Sequence, residues 1–274
     1  MTDLAVTFRD LHVPGRPLLL PNPWDAGSAK VLATLGYRAL ATTSSGFAAT
    51  LGRLDGGVSR AEALRHAAEI VAATPLPVSA DLEDGFADAP AEVAVTVRGA
   101  VEVGLAGCSI EDATGRPGDP IHPVELAAER VAAAAEAAHT GRHRLVLTAR
   151  AENHLYGRDD LADTITRLQR YQLAGADVLY APGLVSAADI QAVVSSVDLP
   201  VNVLALPGGP SVGQLAELGV SRISVGGAFA YAALDALATA ARELLDEGTY
   251  GYTRRSARGR ELAGTAYAPT AGRT

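Results

Sequence analysis

Residues 103–115 read "VGLAGCSIEDATG", and their order carries the fold. Gly104 suits the left-handed residue that ends a helix, and the following Leu-Ala-Gly-Cys-Ser-Ile run is apolar or small without alternation, as in a strand covered on both faces. The run then stops in two acids. Three other stretches share this grammar: "LGYRALATTSSG" from Leu35, "LAGADVLYAPG" from Leu173 and "LGVSRISVGG" from Leu218. Each is the helix-to-strand half of a βαβ unit.

Working outward, the spacing predicts eight strands, near residues 17–21, 39–43, 77–81, 107–111, 145–150, 178–181, 200–204 and 222–225. Alanine-rich periodic stretches such as "AEALRHAAEIVAA" and "PVELAAERVAAAAEAAH" lie between them and favour helices packed on a sheet. Eight alternating units over about 250 residues predict a single-domain α/β fold, a (β/α)8 TIM-type barrel over 1–250, with a small, polar tail over 251–274. A doubly wound open sheet is the alternative. It would carry a G-x-G-x-x-G turn after the first strand, where "PNPWDAGSA" stands instead.

The 274 residues are 48% hydrophobic and 20% charged, a globular composition, and the net charge of −8 argues against nucleic acid or an anionic membrane as partner. Cys108 is the single cysteine, so no disulfide framework or zinc ribbon can form, and its setting is that of a small buried hydrophobe. The N-terminal residues lack a signal-peptide pattern and no run reaches eighteen apolar residues, which predicts a cytoplasmic protein acting on a small molecule.

In a barrel the strand ends converge on one face, where such folds hold their chemistry. Strand three runs into "ADLEDGF" (80–86), strand four ends at Glu111 and Asp112, and strand five ends at Arg150 with Glu152 behind it. Residues two apart on a strand share a face, so Asp81 and Glu83 are expected to face one cavity while Leu82 packs away. With Glu111 they make three carboxylates, a set suited to a hard divalent cation, Mg2+ with Mn2+ as a substitute. Asp84, Asp88 and Asp112 read as solvated tips that cap helices. Arg150 reads either as a substrate contact or as a structural partner of Glu111.

"ADLEDGF", "SIED" and "TARAEN", in this order, resemble the motifs D-x-D-x-G-[YF]-G, [LI]-E-D and A-R-[TV]-[DE] of the isocitrate lyase and phosphoenolpyruvate mutase superfamily. The likeness spans about residues 15–250. It implies that Asp81, Glu83 and Glu111 form the Mg2+ cluster and that Arg150 contacts substrate, with Glu152 close by. "LGRLD" aligns with the segment ending in the superfamily's catalytic-site aspartate, here Asp55. Counting back places Thr43, Ser44 and Ser45 on the segment that binds the substrate's carboxylate and carbonyl oxygens; a short gap shifts this to Ser45, Gly46 and Phe47. Trp24 and Asp25 are either a helix start or the pocket floor, and the resemblance favours the floor.

The implied chemistry is formation or collapse of an enolate-like oxo acid. Isocitrate and methylisocitrate cleavers carry K-[KR]-C-G-H on the loop after strand four, with cysteine as general acid. Here that loop reads "ATGRPGDPIHP" from Ala113, without cysteine and without the asparagine of the phosphonate-handling branch. Arg116 and His122 are its candidates for touching the variable end of a substrate, and the alternative reading of His122 is a cap on the next helix. The resemblance thus implies a Mg2+-dependent lyase of 2-oxo or 2-hydroxy di- or tricarboxylates, acting by C–C cleavage or decarboxylation. Phosphorus–carbon chemistry on phosphonopyruvate and non-catalytic oxo-acid binding are the alternatives. It also implies a dimer or tetramer in which the apolar helix after strand eight crosses to a neighbour.

Overall fold

The computed structural model describes residues 3–140 and 143–268. Eight parallel strands form one sheet: β1 Leu18–Leu20, β2 Leu40–Ala41, β3 Val78–Asp81, β4 Gly107–Glu111, β5 Val146–Arg150, β6 Val178–Tyr180, β7 Val201–Leu204 and β8 Arg222–Ser224. Neighbours run in the order β1-β8-β7-β6-β5-β4-β3-β2. The remaining seam is bridged by the Ala41 N–H, which donates to the Pro21 carbonyl at 3.1 Å, and by Asn22 Nδ2, which donates to the Thr42 carbonyl at 2.9 Å. The sheet is therefore nearly closed into a (β/α)8 barrel, as expected, and each strand falls inside its predicted window.

Among the described residues eleven α-helices accompany the strands: α1 Leu4–Asp10, α2 Ala26–Thr34, α3 Ser44–Thr50, α4 Arg60–Ala73, α5 Pro90–Glu102, α6 Val124–His139, α7 Leu161–Leu173, α8 Ala187–Ser196, α9 Val212–Glu217, α10 Ala228–Arg242 and α11 Thr253–Tyr267. Their starts follow local chemistry. Ser59 and Ser211 build capping boxes with Glu62 and Gln214, and Pro90 opens α5 where its missing N–H costs nothing. The lower end of the barrel is plugged by α1, whose Phe8 is fully buried among Leu18, Ala106 and Val146. Gly107 permits this, since a Cβ there would lie 2.7 Å from the Phe8 ring.

Within the expected tail, residues 253–267 form α11, which packs on α2 with Lys30 Nζ 6.0 Å from the Tyr267 ring centre. Residues 269–274 of that expectation lie outside the described residues. No helix among the described residues is long and apolar enough to cross a membrane.

Candidate active site

Arg150, the last residue of β5, organises the upper face. Its Nη1 donates to Asp81 Oδ1 at 2.9 Å, its Nη2 lies 3.1 Å from Glu111 Oε2, and its Nε donates to Glu152 Oε1 at 2.8 Å. The sheet register causes this convergence, because Glu111 of β4 stands directly beside Arg150. Tyr180, its register partner on β6, lies with its ring 5.3 Å from the guanidinium carbon. Arg150 is the ion-pair partner of Glu111, and it also lines the cavity at the barrel mouth.

Three carboxylates on one buried cation leave an excess of negative charge. Burial pushes the Glu111 and Glu152 carboxyls up, opposed mainly by Arg150. Glu83 is pushed up to about 8, first by burial and then by the charges of Asp81, Asp55 and Asp84. Asp55 is also raised, by burial and by Asp81, against a hydrogen bond from Ser44.

The route that brings Glu83 to Asp81 differs from the expected one. β3 ends at Asp81, and Glu83 sits in a turn at φ 49°, followed by Gly85 at 77° and Phe86 at 58°. These left-handed conformations, rather than strand alternation, keep the two carboxylates together; two non-glycine residues there mark a strained turn. Leu82 does pack away and is fully buried. Among the described residues, no group of three or more His, Cys, Asp or Glu side chains is arranged to hold a metal ion, because Asp81 and Glu111 are turned onto Arg150.

Beside Arg150 lies a cavity of about 190 Å³ inside the barrel mouth, lined among others by Thr43, Ser44, Ser45, Asp55 and Asp81. Thr43 caps α3 and accepts from the Gly46 N–H, while the Ser44 N–H donates to Asp81 Oδ2 at 3.2 Å. Gly46 is behind this wall: a Cβ there would lie 2.5 Å from Thr43 Cγ2 and 3.3 Å from the Trp24 and Ala230 Cβ atoms. Gly227, across the cavity, leaves equivalent room for Ser45 Oγ.

Five further residues expected to bind substrate do not line this cavity. Asp25 caps α2, accepting from the Ser28 N–H at 2.6 Å, and the Trp24 carbonyl is 3.0 Å from His66 Nε2, so the pair stands at a helix start, outside the cavity beside Arg150. Arg116 is drawn to Asp88, 3.0 Å away, and His122 is 1% exposed with its Nε2 3.5 Å from the same carboxylate. The Ala113–Ile121 bridge pins the loop in this arrangement. Glu152 does not line the cavity either; it is buried behind Arg150 and orients it.

Asp112 is no solvated tip. It is 2% exposed and accepts from the Glu152 N–H at 2.8 Å, Arg167 Nη1 at 3.0 Å and the Tyr171 hydroxyl at 2.5 Å. Arg130, buried in α6, likewise donates to the carbonyls of Asp84, Ala87 and Asp88 and so holds the turn that carries Glu83. Neither role was visible in the sequence, although arginines on the apolar faces of α6 and α7 are the signal that could have raised them. Asn22 was missed too; its Oδ1 accepts from the Val225 and Gly226 N–H groups, both at 3.0 Å, tying the first strand's end to the last.

Known proteins share this architecture. A protein of Burkholderia cenocepacia J2315, described provisionally as a lyase or mutase, superposes with a TM-score of 0.93 at 51% identity, covering 97% of this chain and 96% of that one. An uncharacterised Mycobacterium tuberculosis protein is 34% identical over 88% of this chain and 90% of its own length. The oxaloacetate decarboxylase of Pseudomonas putida GB-1 is 30% identical over 84% of this chain and 80% of its own. A family model described as phosphoenolpyruvate phosphomutase matches residues 8–245, and the chain belongs to that family.

Proposed function

We propose that the protein is a Mg2+-dependent lyase that breaks a C–C bond of a 2-oxo or 2-hydroxy di- or tricarboxylic acid, by cleavage or decarboxylation, through an enolate-like intermediate. The observation that carries this reading is the fixed Arg150 guanidinium at the edge of a small polar cavity, held by three carboxylates on three neighbouring segments. A planar cation that cannot swing away is suited to stabilising an oxyanion as it develops.

Asp81, Glu83 and Glu111 fit a hard divalent ion by their donor chemistry. They are carboxylates in a site whose crowding pushes Glu83 up to about 8, a charge excess that such an ion offsets. Asp81, Glu83 and Glu111 would hold it, and once bound it would supply Lewis-acid withdrawal of electrons from the oxo-acid end. Ser44 and Ser45 would orient the substrate's oxygens from the wall of the cavity. Asp55, with its raised carboxyl, would take up or release a proton above it. Glu152 would keep Arg150 in register and Asp112 would keep Glu152 in place.

An assembled state forms part of the same proposal. The face of α10 bearing Leu234 and Leu237 is 46% and 66% exposed, and Leu245 just beyond it is 83% exposed, an apolar surface that a second copy of the chain would cover.

The decisive experiment incubates purified protein and MgCl2 with oxaloacetate, 2-methylisocitrate and phosphonopyruvate, and measures released pyruvate, CO2 and phosphate. Pyruvate should form from a C–C substrate, vanish with EDTA and return with Mg2+ or Mn2+. Phosphate release from phosphonopyruvate alone would move the reading to P–C chemistry. Absence of product from every acid, or full turnover in metal-free protein, would refute it.

A further inference from the structure

The inward-facing register of the barrel descends as it passes from strand to strand. Glu111, Arg150, Tyr180, Asn202 and Arg222 are successive lateral partners, yet the first three end their strands while Arg222 begins its own. The stagger of a tilted barrel thus carries one tier of polar side chains from the mouth down to the floor. Two arginines stand on this tier with opposite surroundings. Arg150 has three carboxylates; Arg222, only 4% exposed, pairs with none among the described residues.

Arg222 instead bonds to neutral acceptors. Its Nε donates to Asn202 Oδ1 at 2.9 Å and its Nη1 lies 3.3 Å from His12 Nε2. His12 Nδ1 is 2.8 Å from the Phe8 carbonyl, which can only accept, so the ring proton sits on Nδ1 and Nε2 is the acceptor for Arg222. Burial and Arg222 push His12 down to about 3, so it brings no second charge. These bonds use two of the five guanidinium N–H groups. Arg222 also lines the cavity below the mouth, next to Ser224 and Asn202.

A buried cation without an anion is costly, and one that borders a cavity is suited to a ligand that brings the anion. At roughly 30 Å³ per water, the cavity of about 190 Å³ has room for a short acid rather than a nucleotide or a sugar phosphate.

We propose that Arg222, with Asn202 and Ser224, is the receptor for the distal carboxylate of a short dicarboxylate, whose oxo- or hydroxy-acid end is held at the mouth by Arg150 and the Ser44–Ser45 wall. The assignment deepens the lyase reading above and rests on it for the orientation of the acid. It makes the enzyme selective for four-carbon diacids over the corresponding monoacids from within the barrel, whereas the loop over residues 113–122 is engaged with Asp88 outside the cavity.

Titration calorimetry with Mg2+ present tests this without turnover, using malate and lactate, 2-hydroxy acids that differ by one carboxylate. Wild-type protein should bind malate at least about 10-fold more tightly, since a charge-assisted pair is at stake. Arg222→Gln should weaken malate by about 10-fold or more and change lactate by less than about 3-fold. Asn202→Asp supplies an internal carboxylate in place of an amide oxygen 2.9 Å from Arg222 Nε. It should raise the Tm while lowering malate affinity selectively, and it decides the matter alone if Arg222→Gln does not fold. Equal effects on both acids, a higher Tm in Asn202→Asp with unchanged malate affinity, or no wild-type preference for malate would overturn the assignment. Loss of the lyase reading alone would show differently, as intact malate preference with no product from any acid.

Discussion

Removing Arg150 should destabilise the protein in a pH-dependent way. Arg150→Ala deletes donors at 2.8, 2.9 and 3.1 Å from Glu152, Asp81 and Glu111 and leaves these carboxylates facing one another. Breaking a buried ion pair from one side costs about 3–5 kcal/mol, so a loss of about 4 kcal/mol is expected at pH 8 in EDTA. Glu111 and Glu152 are already raised by burial, and Arg150 is the main influence holding them down. Without it their folded-state values rise further above the unfolded ones. Stability from such groups is present below the unfolded pKa and is lost as pH climbs through the folded one. The deficit relative to wild type should therefore be largest at pH 8 and fall to less than about half at pH 5, where both carboxyls take up protons. Urea denaturation at the two pH values measures it, and kcat/KM with Mg2+ should fall by more than about 100-fold in parallel. A deficit equal at both pH values, or a variant more stable than wild type at pH 8, would refute the account of Arg150 as the counter-charge of the mouth.

Asp112→Asn should cost about 3 kcal/mol and lower kcat more than it raises KM, because the amide cannot serve the Glu152 N–H, Arg167 and Tyr171 together and Arg150 loses its brace; urea curves and steady-state kinetics report both. Gly227→Ala places a methyl 2.5 Å from Ser45 Oγ and 2.8 Å from the Tyr231 ring, so Ser45 must move; KM should rise severalfold with Tm falling only a few degrees, and an unchanged KM would remove Ser45 from the binding wall. Light scattering at micromolar concentration should give a dimer or tetramer, and Leu237→Glu, on the exposed face of α10, should shift it toward the monomer; a 28.1 kDa wild-type species would sink the assembly proposal.

Repetition made the barrel legible before any coordinates. Each of the four copies of the helix-end, glycine, apolar-run pattern specifies its own strand from local terms, and eight strand windows alternating with helical stretches in one chain admit few arrangements. Position at a strand end was equally readable, which is why Asp81, Glu111 and Arg150 could be named together. The N-terminal side of the mouth was harder to read. Asp25 looks the same in sequence whether it floors a pocket or caps a helix, and only the folded chain shows its bond to Ser28. Asp112 reads as a solvated strand-end acid in the sequence, and only the fold brings Arg167 and Tyr171, more than fifty residues away, over it.

The reason is the range over which each interaction is decided. Helix caps, glycine turns and strand apolarity are set by residues within a few positions, so the chain itself displays them. Charge compensation is set by whichever side chains the barrel's tilt brings to one level. That tilt joins Arg150 to three acids and, among the described residues, leaves Arg222, on the same descending tier, with Asn202 and His12. Two arginines that are chemically identical in the sequence acquire different roles only when the sheet closes.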